Sequence, residues 1–165
     1  MDKADFVARF GGVFEHSAWV AERAFDGNAL PDRLNAEWLH RALSQEFHAA
    51  KDDERMTVLR AHPDLAGRLA IAGDLTEDSR QEQAGAGLDR LTRVEFERFT
   101  DLNTRYHARF GFPFIIAVKG LTKQEILHAF ENRIHHMKAE EFAAACHEVE
   151  KIARLRLQAM DFSGE

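Results

Sequence analysis

Apolar residues return every three or four positions along nearly the whole of this chain, and that period belongs to helices packed on a core rather than to strands. Trp38, Leu39, Ala42, Leu43 and Phe47 form one such stripe behind Asn35, a residue type suited to capping a helix start. Phe96, Phe99, Leu102, Tyr106 and Phe110 form another, and Ile126, Phe130, Ile134 and Met137 a third. Thr92 with Glu95, and Thr122 with Glu125, stand ahead of these two stripes as capping boxes, in which side chain and backbone satisfy each other's polar groups at a helix entrance. Further helices are expected over residues 3–10, 16–25, 52–61 and 139–160, with a short one opened by Pro63 and one running from Thr76 to Gly85-x-Gly87. The segment Gly111-Phe-Pro-Phe-Ile-Ile-Ala-Val-Lys-Gly120 is the one β-prone stretch, and without a second strand it reads as a buried extended connector. The expected fold is all-α: a single-domain helical bundle over residues 1–165, of about eight helices and with no sheet.

Length and composition narrow the function classes. A chain of 165 residues with 45% hydrophobic and 30% charged side chains has enough apolar material for an ordinary core. Its single cysteine, Cys146, excludes an internal disulfide framework and falls on an Ala-rich apolar face. A net charge of −6 speaks against a nucleic-acid partner, which would call for surplus Lys and Arg. No apolar run reaches the ~18 residues of a membrane span. The opening residues lack the apolar run of a signal peptide, and the final Ser-Gly-Glu is no peroxisomal address, so a cytoplasmic location is expected.

Nine histidines invite a metal reading, above all the pairs Glu37/His40 and Glu125/His128. At ~100° per residue both pairs fall opposite the apolar stripes of their helices, so they are expected to face water, and no metal is expected. His62 is different: it stands before a proline in Ala-His-Pro-Asp-Leu-Ala-Gly, pushed out of helical φ/ψ at a helix entrance. A turn or capping histidine is the plainer account of it. Ser79, Glu82 and Gln83 share one helix face by their i, i+3, i+4 spacing, a hydroxyl, a carboxylate and an amide suited to reading a polar heterocycle, or equally a solvated first turn. Arg156 falls within ~20° of the centre of the stripe made by Phe142, Ala145, Val149, Ile152 and Ala153, where a guanidinium needs an anion, a ligand or an internal salt-bridge partner, unless it snorkels to water from the final turn.

Three separated segments, His62-Pro63-Asp64-Leu65, Ser79-x-x-Glu82-Gln83 and Phe114-Ile115-x-Ala117-Val118-Lys119-Gly120, together resemble the 2-oxo-4-hydroxy-4-carboxy-5-ureidoimidazoline (OHCU) decarboxylase family. The opening Phe10-Gly-Gly-Val-Phe-Glu-His-Ser-Ala-Trp-Val-Ala21 and the closing Glu148-Val-x-Lys-Ile-Ala-x-Leu-Arg-Leu157 are similar to the ends of that family, with Ala18 standing where many members have proline. The resemblance implies a cofactor-independent lyase of urate breakdown that releases CO2 and yields (S)-allantoin. It implies His62 as catalytic acid/base, with Glu82 and Arg156 as the other catalytic residues. Substrate contacts are implied for Pro63, for Ser79, Arg80, Gln81, Glu82 and Gln83, and for Phe114, Ile115, Ile116, Ala117 and Val118. The implied partner is a small anionic ureidoimidazoline, and the implied assembly a homodimer, for which Leu155 and Leu157 off the main stripe leave apolar surface. A non-catalytic helical module binding a small polar ligand or a partner protein is the alternative, and a metal-dependent bundle oxidase a more remote one.

Overall fold

A computed structural model describes residues 1–67 and 73–163. Eight helices stand among the described residues: α1 (Lys3–Phe10), α2 (Trp19–Gly27), α3 (Ala36–Ala49), α4 (Asp52–Ala61), α5 (Glu77–Gly85), α6 (Arg93–Phe110), α7 (Lys123–Arg133) and α8 (Lys138–Gln158). They fall into two units, the first built from Met1–Ala61 with Val149–Glu165, the second from His62–Glu148. Among the described residues there is no strand, and no helix is long and apolar enough to cross a membrane.

In the first unit, α2 begins later than its pattern predicts. His16 takes a left-handed φ of 49°, which no helix can absorb, so Val13–Ala18 form turns and the helix starts at Trp19. Asn35 caps α3 as expected, its side chain accepting the Trp38 N–H at 2.9 Å. Phe6, Phe10, Phe14, Leu39, Leu43 and Phe47 are buried, with Phe6 against Phe10 at a centroid separation of 4.9 Å and Phe14 against Phe47 at 5.3 Å. Leu157 is fully buried, so it leaves no surface for a second copy, whereas Leu155 is half-buried.

In the second unit, both capping boxes form, with Thr92 and Thr122 accepting from the Glu95 and Glu125 N–H groups and receiving those carboxylates on their own. Gly111 ends α6 in the left-handed conformation at φ 77°, a cap most side chains resist. Tyr106 is the aromatic centre: Phe110, Phe112, Phe114 and Phe130 all lie within 5.8 Å of its ring centroid. Phe114 and Phe130 stack at 4.0 Å. Each such pair contributes about 0.5–1.5 kcal/mol beyond simple burial.

The segment after Gly111 is the expected buried connector. Buried backbone must find partners, and with no strand beside it these come from side chains. Arg133 donates to the Ile115 carbonyl at 2.7 Å, and Glu148 accepts the Ala117 N–H at 2.8 Å. Arg133 also lies over the Phe114 ring, 4.5 Å from its centroid.

Candidate active site

α4 stops at Ala61 and His62 follows, buried at 9% exposure. No helix opens at Pro63 among the described residues: Pro63 and Asp64 lie outside regular structure and Leu65 and Ala66 form a turn, while residues 68–72, onto which that expected helix would run, lie outside the described ones. The turn is tight. A Cβ on Gly67 would sit 2.6 Å from the Asp64 Cβ, and Ala66 holds a left-handed φ of 51°, costly for a residue with a side chain.

Side chains from α5 and α6 hold this turn. Gln83 accepts the Ala66 N–H at 3.0 Å and donates to the Asp64 carbonyl at 3.3 Å. Asn103 donates to the Leu65 carbonyl at 2.9 Å. His107 meets the Asp64 carboxylate through Nε2 at 2.7 Å. His62, Pro63, Asp64, Asn103, Thr104 and His107 help line a hollow of about 630 Å³, ample for a small heterocycle. A second hollow, about 490 Å³, is lined in part by Ala66, Arg80, Gln83, Leu88 and Phe96.

α5 sorts the predicted binding stretch into two faces. Thr76 caps it, accepting the Ser79 N–H at 3.3 Å, and turns Ser79 and Gln83 inward, where both are buried, with Glu82 half-buried between. Arg80 and Gln81 are exposed and both bind Glu77, at 2.9 and 2.5 Å, and their bonds pull that carboxyl down to about 2. The shared face of Ser79, Glu82 and Gln83 is therefore not a solvated first turn, but the Gln83 amide has its donor and acceptor engaged by backbone. Sequence reasoning missed Asn103 and His107. A polar residue four positions after Phe99, on the apolar side of α6, was the available signal for Asn103.

The connector is buried from Phe112 to Val118 except for half-buried Ile116. In the first unit Arg156 is buried on α8, as its place in the stripe demands, and it meets Glu15 at 2.8 Å and the Val13 carbonyl at 3.3 Å. Of the readings open for this guanidinium, an internal ion pair is present, and its burial leaves no snorkelling to water.

The histidine pairs divide. Glu125 and His128 are exposed, with Glu125 capping α7 and His128 beside Asn132, and Glu37 is exposed too. His40 departs from expectation: it is half-buried, 3.0 Å from the Glu150 carbonyl, because the first unit folds the C-terminal half of α8 over that edge of α3. Cys146 is buried.

The chain is similar to known proteins over nearly its whole length. The OHCU decarboxylase family matches residues 1–158. The 2-oxo-4-hydroxy-4-carboxy-5-ureidoimidazoline decarboxylase of Halalkalicoccus jeotgali is 41% identical over 157 residues, covering 95% of this chain and 85% of the relative. That of Haloferax volcanii is 41% identical over 165 residues, 100% of this chain and 94% of the relative. A crystal structure of (S)-allantoin synthase superposes with a TM-score of 0.76 at 33% identity, covering 96% of this chain and 50% of that one, so this chain spans half its length. The chain belongs to the OHCU decarboxylase family.

Proposed function

We propose that this protein decarboxylates 2-oxo-4-hydroxy-4-carboxy-5-ureidoimidazoline to (S)-allantoin and CO2 in urate degradation, with His62 as general acid/base. The substrate's C4 carries a hydroxyl and a carboxylate, and C5 is an imine-type carbon. As the bond to the carboxylate breaks, its electrons form C4=C5 and the C5=N pair moves onto nitrogen, which takes a proton. Loss of the C4 hydroxyl proton and protonation of C5 then complete allantoin. The substrate is its own electron sink, so the reading needs no cofactor.

The protein's part is orientation and proton handling. His62 exchanges a proton with the C4 hydroxyl or the ring nitrogen, help worth about 10²–10⁴-fold, or ~3–5 kcal/mol. Glu82 fixes the imidazole tautomer or holds the ureido N–H groups. Pro63, Ser79 and Gln83 shape the neighbouring wall, and the connector Phe114–Val118 excludes water. Arg156 is the guanidinium suited to a carboxylate or carbonyl oxygen, with its planar fork. The observation that carries the reading is His62 itself: a buried imidazole at the wall of a hollow of about 630 Å³, on a turn held by side chains from α5 and α6.

The test is to add substrate freshly made by urate oxidation and follow its decay by absorbance and the chirality of the allantoin formed. The wild type accelerates the decay, and His62→Asn loses at least ~100-fold in turnover while keeping its helical circular dichroism. No acceleration by the wild type would favour the binding module, and a fully active His62→Asn would remove the imidazole from catalysis. A homodimer and a cytoplasmic location belong to the same proposal, the first checked by sedimentation velocity and the second by fractionating cells.

A further inference from the structure

The turn after His62 is held at three consecutive residues. Asp64 is held by the Gln83 amide on its carbonyl and by His107 on its carboxylate, Leu65 by Asn103 on its carbonyl, and Ala66 by Gln83 on its N–H. Such redundancy is what keeps a strained backbone in place, and Ala66 with its φ of 51° is strained.

Asn103 is the member whose presence needs explaining. It is 7% exposed, on a helix whose neighbouring buried positions are Phe99, Leu102 and Tyr106. Asparagine is a poor helix former, and burying its amide among apolar residues is unfavourable unless the amide is used. Its Oδ1 has no partner among the described residues, so the N–H held by Leu65 is what the carboxamide contributes here. Asn103 also lines the hollow that His62 lines.

We propose that Asn103 is a positioning residue, which through the Leu65 carbonyl holds the His62–Ala66 turn so that the imidazole meets the reacting atoms. The inference rests on the reading of His62 as acid/base. Positioning of this kind acts on turnover, because a shift of about 1 Å in a catalytic group costs ~10²-fold while the remaining contacts still bind the substrate.

The experiment is a double-mutant cycle on the full chain with freshly generated substrate. Asn103→Ala lowers kcat by about 10–100-fold with KM within about threefold of wild type. In the His62→Asn background the same change costs less than about threefold, since the group it positions is already gone. A second variant, Asn103→Asp, keeps the shape. Its carboxyl can donate to Leu65 only when protonated, so its activity relative to wild type rises as the pH is lowered. Equal losses from Asn103→Ala in both backgrounds, an unchanged kcat, a flat Asn103→Asp ratio, or loss of helical circular dichroism in both variants would each overturn the proposal. Failure of the parent reading looks different: there His62→Asn alone leaves turnover intact.

Discussion

Arg133 donates from Nε to the Glu141 carboxylate at 2.8 Å while another nitrogen of the same guanidinium holds the Ile115 carbonyl at 2.7 Å. Glu141 has no solvent exposure, and it also accepts the Tyr106 hydroxyl at 2.5 Å and meets His136 at 3.1 Å. Burial, then the bond to Glu141, pushes the Tyr106 phenol well above its usual range, so it stays a donor at any working pH. The aromatic core and the connector are thus tied by one carboxylate.

Breaking that pair from one side leaves a buried charge with too few partners. Arg133→Leu is expected to destabilise the protein by about 3–5 kcal/mol, and Tyr106→Phe by about 1–2 kcal/mol. Replacing Arg133 and Glu141 together with apolar residues should cost less than the sum of the single changes. Urea melts of the wild type, Tyr106→Phe, the Arg133 and Glu141 single variants and their double check this, and additivity between Arg133 and Glu141 would deny the coupling.

The elements that local signals specify are the ones the sequence makes plain. Thr92/Glu95 and Thr122/Glu125 act within a single turn, so their helices could be read directly, and Asn35 and Thr76 behave alike. The extended connector also followed, from the want of a pairing strand. What holds it did not, because Arg133 reaches Ile115 across 18 residues and Glu148 reaches Ala117 across 31. The turn after His62 is the same case: Gln83 and Asn103 bind Ala66 and Leu65 across 17 and 38 residues, and no periodicity encodes such contacts. His16 escaped for a different reason, since nothing local in Glu-His-Ser announces a left-handed backbone.

Gly67→Ala tests the tightness of that turn. The new Cβ would lie 2.6 Å from the Asp64 Cβ, an atom at the root of its side chain that cannot swing away, so the backbone must move. A loss of about 1–3 kcal/mol in stability is expected, together with a fall in turnover larger than the folded fraction explains. Thermal melts and single-concentration assays suffice, and an unaffected turnover would show that the turn tolerates displacement.

Arg156 and Glu15 separate structural from chemical roles. Arg156→Met removes the 2.8 Å ion-pair partner of a carboxylate only 2% exposed, with an expected cost of about 3–5 kcal/mol. Arg156→Lys keeps a charge near Glu15 but not the planar fork. If the guanidinium grips the substrate, Arg156→Lys loses rate or affinity while remaining folded. Activity tracking stability across both variants would make the residue purely structural.

His40 gives the protein a predictable acid sensitivity. Its ring is pushed below its ordinary value of 6.5, first by burial and then by the Arg154 charge, with the Glu150 carbonyl opposing. The folded state therefore binds this proton more weakly than the unfolded chain does, and stability falls as the pH drops below the unfolded value. Above it both states are neutral and the penalty is absent. His40→Gln keeps an N–H donor for Glu150 without a titrating ring, so between about pH 8 and pH 5.5 it should lose less melting temperature than the wild type. His48, with Glu150 beside it at 2.7 Å, is retained in both proteins, so the difference between their melting curves isolates His40. Parallel curves would mean that the His40 ring charges as readily in the folded protein as in the unfolded one.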